Sequence, residues 1–139
     1  MGDLKAFMQP PVTDKTEEVV ISDRFKDDKG NVQAFKLRVI SQEINEVLRK
    51  RAATPIKKNG TVIGENFDAI AYGRELIVAA TVWPNFKASE LCDFYKTKDP
   101  LDVPSKMLTA GEYNKLIKAI NNLNGFTEDP EVLDDEAKN

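Results

Sequence analysis

The segment KMLTAGEYNKLIKAINNLNGF, residues 106–126, predicts one helix whose two ends are both marked in the sequence. Thr109 and Glu112 have the spacing of a capping box, in which each side chain accepts a hydrogen bond from a free backbone amide. Gly125 supplies the left-handed conformation that ends many helices, and Phe126 can then fold back on the last turn. The apolar residues recur at helical spacing, at Tyr113, Leu116, Ile117, Ile120 and Leu123. We therefore expect a packing helix, and it carries no obvious catalytic group.

Three more helical segments are predicted upstream of this one. Ser41 can cap a helix that ends before Pro55. The segment NFDAIAYGRELIVAATVW, residues 66–83, predicts a long helix that Asn66 caps and Pro84 ends, although its β-branched residues leave a strand as the alternative. ASELCDFY, residues 88–95, predicts a short helix, and KTKDPLDVP, residues 96–104, a loop. The apolar stripe of the first of these helices is Ile44, Val47, Leu48 and Ala52.

Two strands are predicted in the first third of the chain. EEVVISD, residues 17–23, is rich in β-branched residues, and QAFKLRV, residues 33–39, alternates apolar and polar positions. The turn cluster KDDKGN lies between them and contains Gly30, so we predict an antiparallel, half-buried hairpin. Further on, Asn59-Gly60 indicates either a second, smaller hairpin or a mobile loop.

These elements predict an α+β fold in which the N-terminal antiparallel β-hairpin packs against about four α-helices. Residues 1–16 are predicted to form an N-terminal arm, residues 17–126 a single globular domain, and residues 127–139 an acidic, disordered tail. That tail holds six acidic residues and one lysine, a net charge of −5. The whole chain has 20 Lys and Arg against 23 Asp and Glu, a net charge of −3.

The composition excludes several classes of chemistry. There is no histidine, and Cys92 is the single cysteine, which removes Ser-His-Asp catalysis, Cys-His catalysis and ordinary zinc sites. The glycines follow neither a dinucleotide-binding nor a Walker pattern. The spacing of Asp27 and Asp28 does not match a calcium loop, so a solvated turn is favoured there. We expect no catalytic residue, no metal and no cofactor.

The sequence also predicts where the protein is located. No apolar run approaches the roughly 20 residues that span a bilayer, and the N-terminus lacks a secretory pattern, so we expect a cytoplasmic protein without a membrane partner.

A basic run comprises Arg49, Lys50, Arg51, Lys57 and Lys58. It has no interleaved aromatic residues, so a solvated helix end is favoured over nucleic-acid binding. A third interpretation of the basic run is that it attracts an acidic partner or the chain's own acidic tail.

Four aromatic residues crowd a short region on either side of Pro84. They are Trp83, Phe86, Phe94 and Tyr95. Most such clusters belong to a core. The functional alternative is a partly exposed patch that binds a protein partner, because tryptophan and tyrosine are enriched in interfaces. These four residues are the predicted partner-binding site.

Three segments in this order resemble one known family. ISDRFKDDKGNVQAFKLRVISQEINEVLRK, VWPNFKASELCDFY and KMLTAGEYNKLIKAINNLNGF are similar to the XkdN-like tail assembly chaperones of contractile-tailed phages and prophages of Gram-positive bacteria. The resemblance covers about residues 3–126 and continues into a similar acidic tail. One departure is Ala110 before GEY, where relatives have proline. Alanine is tolerated at that first helical position.

The resemblance implies a non-enzymatic assembly factor that acts in the bacterial host cell. Such chaperones are expected to hold the tape measure protein, a long and aggregation-prone helical protein, until the tail tube polymerises around it. They are not expected to remain in the finished particle, and related phages also make a longer, frameshifted form. The alternatives are a structural tail component retained in the particle and, less favoured, a small nucleic-acid-binding regulator.

Overall fold

The computed structural model describes residues 2–126, and the predicted disordered tail lies outside them. The strands are β1 (Thr16–Val19), β2 (Phe35–Arg38), β3 (Ala53–Lys58), β4 (Thr61–Phe67) and β5 (Thr81–Trp83). The α-helices are α1 (Gln42–Arg51), α2 (Ala69–Ala80), α3 (Ser89–Phe94), α4 (Val103–Met107) and α5 (Ala110–Asn124). Short 3-10 turns lie at Leu4–Phe7 and Pro100–Asp102. The predicted α+β class is confirmed.

The larger sheet has the strand order β1-β2-β5, with both pairs antiparallel. In β2, Phe35 and Leu37 are buried while Lys36 is exposed, as the alternating sequence predicts. The first predicted strand is shorter than expected, because the chain leaves the sheet after Val19 and Ile21 enters the core at 3% exposure. Gly30, with φ +82°, turns the long connection between β1 and β2.

Helix α1 begins where the sequence predicts. The Ser41 hydroxyl accepts a hydrogen bond from the Ile44 amide at 3.2 Å, and Leu48 is buried. The predicted stripe is wrong at Val47, which is 47% exposed. A second strand pair follows immediately, because α1 ends at Arg51 and β3 starts at Ala53.

The Asn59-Gly60 pair forms the predicted second hairpin. Both residues have positive φ, +52° and +79°, as a tight two-residue hairpin turn requires. Strand β4 runs on to Phe67, and Asn66 pairs with Thr54, so Asn66 does not cap the next helix as predicted. Asp68 does so instead, since its carboxylate accepts hydrogen bonds from the Ile70 and Ala71 amides, both at 3.0 Å.

The predicted helix at 66–83 is divided between two elements. Helix α2 covers its middle and buries Leu76 and Ile77. The last three residues form β5, which pairs with β2, so the strand alternative is correct at that end. The loop predicted for residues 96–104 is also wrong in part, because Pro100 and Pro104 stand in the first turns of helical segments. Proline suits those positions, where its missing amide hydrogen is not needed.

Helix α5 has both predicted ends. The Thr109 hydroxyl accepts from the Glu112 amide at 3.1 Å, and Glu112 Oε1 accepts from the Thr109 amide at 2.9 Å. Gly125 has φ +72°, and the Phe126 amide donates to the Asn121 carbonyl at 2.9 Å, as in a Schellman motif. The helix buries its stripe completely at Leu116 and Ile120. Around them the core contains Leu37, Ile77, Ala80, Phe86 and Val103.

Both ends of α5 are also hydrogen-bonded to residues that lie before and after strand β2 in the chain. Arg24 Nε and Nη2 donate to the two carboxylate oxygens of Glu112, each at 2.8 Å, and Nη2 donates to the Met107 carbonyl at 2.7 Å. These bonds from Arg24, and the bond from the Thr109 amide, hold the pKa of Glu112 well below its usual range. At the other end, Asn124 Oδ1 accepts from the Ile40 amide at 2.8 Å.

We expect Glu112→Gln to weaken the fold in a pH-dependent way. The folded-state pKa of Glu112 is depressed, so its contribution is fully present above the unfolded-state pKa, about 4.3. That contribution is lost as the pH falls toward the folded-state pKa. At pH 6 the variant should melt several degrees below the parent chain, and the gap should narrow at pH 3. Thermal unfolding followed by circular dichroism measures the difference in melting temperature at each pH. Glu17→Gln, on exposed β1, is the control and should show no such gap.

Candidate partner-binding surface

A groove with mainly apolar walls lies between β5 and α3. Its volume is about 430 Å³. Trp83, which is 58% exposed, forms one wall, and Phe94, which is 75% exposed, forms the other. The remaining lining residues are Pro84, Asn85, Ala88, Glu90 and Leu91. Large exposed aromatic side chains beside a concave apolar surface are typical of sites that bind another polypeptide.

The local structure fixes both walls. Trp83 is the last residue of β5, an edge strand of the sheet, and it pairs with Lys36 of β2. Helix α3 turns Cys92 into the core at 8% exposure and leaves Phe94 on the outside. The loop between them is also ordered by hydrogen bonds, since Asn85 accepts from the backbone amides of Lys87 and Ala88, both at 3.0 Å.

The structure separates the four aromatic residues of the predicted site. Trp83 and Phe94 line the groove, whereas Phe86 is only 1% exposed, so its assignment to a surface patch is wrong. The ring of Phe86 lies 6.4 Å from that of Phe35, and its carbonyl accepts a hydrogen bond from the Cys92 thiol at 3.4 Å. Tyr95 is half-buried and packs edge-on against Phe94 at 4.9 Å. Tyr95 therefore does not line the groove but contacts Phe94, which does.

Sequence reasoning missed the groove residues Ala88 and Leu91. A signal for Leu91 was present, because it precedes Phe94 by three residues in a predicted helix and so lies on the same side of it. A second, smaller depression of about 160 Å³ lies on the other side of Trp83, lined in part by Phe25, Ala34 and Met107. Trp83 and Pro84 line both depressions and stand between them.

The polar candidates in the sequence have local roles. Asp27 accepts hydrogen bonds from the Lys29 and Asn31 amides, both at 2.9 Å, and the bond from Asn31 is the main cause that lowers the pKa of Asp27. Asp27 therefore organises the turn at Gly30. Within residues 2–126, no group of three His, Cys, Asp or Glu side chains is arranged to hold a metal ion. Across the same residues, no helix combines the length and apolar character needed to cross a membrane.

The basic run is distributed over two elements. Arg49, Lys50 and Arg51 form the last turn of α1, where cations interact favourably with the helix dipole. Lys57 and Lys58 lie at the end of β3, beside the hairpin turn. Arg49 stacks on the ring of Phe67 at 4.7 Å.

Comparisons with known proteins agree on one family. A family model described as phage XkdN-like tail assembly chaperone protein matches residues 4–138. Two Bacillus subtilis (strain 168) proteins are similar along nearly the whole chain. YqbN is 41% identical over 140 residues, which cover 99% of this chain and 93% of YqbN. The phage-like element PBSX protein XkdN is 41% identical over 143 residues, which cover 99% of this chain and 94% of XkdN.

A solved structure has the same fold. The crystal structure of the protein YqbN aligns with a TM-score of 0.74 at 33% sequence identity, and the alignment covers 91% of this chain and 99% of that one. The fold described above is therefore shared with a relative of nearly the same length.

The different burial of the two phenylalanines predicts different costs of truncation. Phe86→Ala should lower the free energy of unfolding by about 3–5 kcal/mol, because it leaves a cavity in the core. Phe94→Ala should lower it by no more than about 1 kcal/mol, which is the worth of its edge-on contact with Tyr95. Urea denaturation of the two variants measures both values. Equal losses would mean that Phe94 is not a surface side chain.

Proposed function

The chain belongs to the phage XkdN-like tail assembly chaperone family, and we propose on that basis that it holds the tape measure protein during tail assembly without catalysing a reaction. The observation that carries this proposal is the groove between Trp83 and Phe94. A tape measure protein is expected to be long and helical, and a long amphipathic helix presents an apolar stripe that aggregates if it is left exposed.

The groove has the chemistry to cover such a stripe. Leu91 and Ala88 provide apolar surface between the two aromatic walls, and Glu90 is the charged side chain among the lining residues. Apolar residues of a client helix at positions i, i+3 and i+4 can enter a groove of this kind while its polar face stays in water. The interaction would depend on apolar burial, so it would accept many similar stripes along a repetitive client.

The strength of the contact suits a temporary complex. Trp83 and Phe94 are 58% and 75% exposed, and covering them would contribute roughly 3 kcal/mol each before the entropic costs of association. Those costs consume several kcal/mol, so one groove would bind one stripe weakly. Weak, repeated contacts can be displaced when tube subunits polymerise around the client. We place this activity in the cytoplasm of the bacterial host, where tail proteins are made.

We expect the double substitution Trp83→Asp and Phe94→Asp to abolish client binding. The full chain is co-expressed with the tape measure protein of the same prophage, and the soluble client that co-purifies is quantified. The substitutions place two charges in the groove, so the co-purified client should fall at least tenfold. Ile70→Asp is the matched control, because Ile70 is also 75% exposed but does not line the groove. Wild-type recovery by a folded double variant would refute the groove as the client site.

The protein composition of purified phage tails distinguishes an assembly chaperone from a structural tail component. We expect mass spectrometry of purified tails to find this chain absent, or far below the copy number of the tube subunit, because an assembly factor leaves before completion. A fixed, stoichiometric copy number in finished tails would instead assign it a structural role.

A further inference from the structure

The pair of strands β3 and β4, residues 53–67, forms a second exposed surface, and none of its residues lines the groove. We call it the ribbon. Every residue from 54 to 67 is exposed, including Ile56, Val62 and Ile63 at 38%, 60% and 62%. Both faces of this two-stranded unit therefore meet solvent. Such a pair is marginally stable alone, and exposed apolar residues along open strand edges favour association.

The base of the ribbon is nevertheless firmly attached. The Asp68 amide donates to the Ala52 carbonyl at 2.8 Å and closes the end of the strand pair. The rings of Phe67 and Tyr72 lie 5.7 Å apart, and Arg49 covers the Phe67 ring at 4.7 Å. The ribbon is thus presented in a fixed position next to the end of α1.

The ribbon and the last turn of α1 together form a basic region in an acidic protein. Residues 49–67 contain five basic residues and one acidic residue, Glu65, a net charge of +4, whereas the whole chain has −3. Lys57 pairs with Val62 across the strands, so a charge and an exposed apolar side chain lie on the same face. A fitting occupant would combine several carboxylates with one or two apolar residues.

We propose that the occupant is the chain's own C-terminal segment, residues 127–139, bound within the same molecule. This segment has a net charge of −5, from six acidic residues and one lysine. Its two large apolar residues, Val132 and Leu133, stand directly between Glu131 and Asp134. Its charge is thus opposite to that of the ribbon, and its apolar pair matches Val62 and Ile63.

The geometry allows this contact. Helix α5 ends at Asn124, whose side chain accepts a hydrogen bond from the Ile40 amide at 2.8 Å, immediately before α1. The ten residues of α1 span about 15 Å to the ribbon, and its strands extend about 20 Å more. A fully extended 13-residue segment reaches about 43 Å. Tethering keeps the segment at millimolar effective concentration, which compensates for weak pairwise attraction.

A second copy's ribbon is a poorer occupant. Two copies of residues 49–67, each with a net charge of +4, repel each other, and two of the positive charges, Lys57 and Lys58, lie on the ribbon whose strand edges would have to pair. A bound acidic segment would neutralise that repulsion, but it would then occupy the surface that the second copy needs. In the proposed arrangement the tail therefore shields the exposed apolar residues of the ribbon and keeps copies apart.

Zero-length cross-linking with a carbodiimide tests the contact in the full-length chain. The reagent joins lysines to carboxylates in direct contact, and mass spectrometry locates the products. We expect links from Lys57 and Lys58 to residues 128–136 to exceed those from Lys115 and Lys118 at least fivefold. The latter two are exposed on α5 and nearer to the start of the tail, so they are the matched control. The links should largely disappear in 0.5 M NaCl.

Hydrogen exchange gives an independent readout. In a full-length variant whose six tail acids are replaced by the corresponding amides, ribbon amides should exchange several-fold faster than in the parent chain. Lys57→Glu with Lys58→Glu should have the same effect, whereas Lys115→Glu with Lys118→Glu should have none. Equal exchange in all variants, or a preference of the tail for the α5 lysines, would overturn the proposal. Links that form mainly between isotopically distinct copies would assign the ribbon to a second copy's tail and overturn the intramolecular assignment.

Discussion

Two side chains of α5, Glu112 near its start and Asn124 at its end, hold together segments that are far apart in the chain. Glu112 bonds Arg24 and Asn124 bonds Ile40, so the helix is attached to the residues on either side of β2. Between these two attachments the apolar stripe at Leu116 and Ile120 is driven onto the inner face of the sheet, at 0% exposure. The ends set the position of the helix, and burial of the stripe supplies most of the stabilisation.

The place of β5 in the sheet determines where the groove forms. Because β1 pairs along one edge of β2, a third strand can join β2 only at the other edge, where β5 pairs. The chain then leaves the sheet at Trp83 and Pro84 and returns to the core at Phe86 before α3 begins. The excursion between two anchored points makes a concave surface. Trp83 remains outside because it is the terminal residue of an edge strand.

The sequence predicts elements whose signals are local. The capping box of α5, the alternation of β2 and the Asn59-Gly60 turn are each complete within a few residues, and all three are present in the structure. Signals that depend on distant partners were misread. Asn66 and Asp68 are both good caps, and the pairing of Asn66 with Thr54 decides between them. Likewise Phe86 lies in an irregular segment without periodicity, so sequence alone could not distinguish it from exposed Phe94.

The groove and the ribbon use different forces, and this difference lets one small chain combine them. The groove offers apolar walls with one carboxylate, Glu90, so the proposed client contact there would be insensitive to salt and tolerant of client sequence. Residues 49–67, which comprise the last turn of α1 and the ribbon, carry a net charge of +4 beside the apolar residues of the ribbon, so the proposed contact there would depend on carboxylates and would weaken as salt rises. An acidic segment that satisfies the ribbon would compete poorly for the groove, since burying carboxylates against Trp83 and Phe94 is costly. In the proposed arrangement the groove therefore stays free for an apolar client while the ribbon is covered.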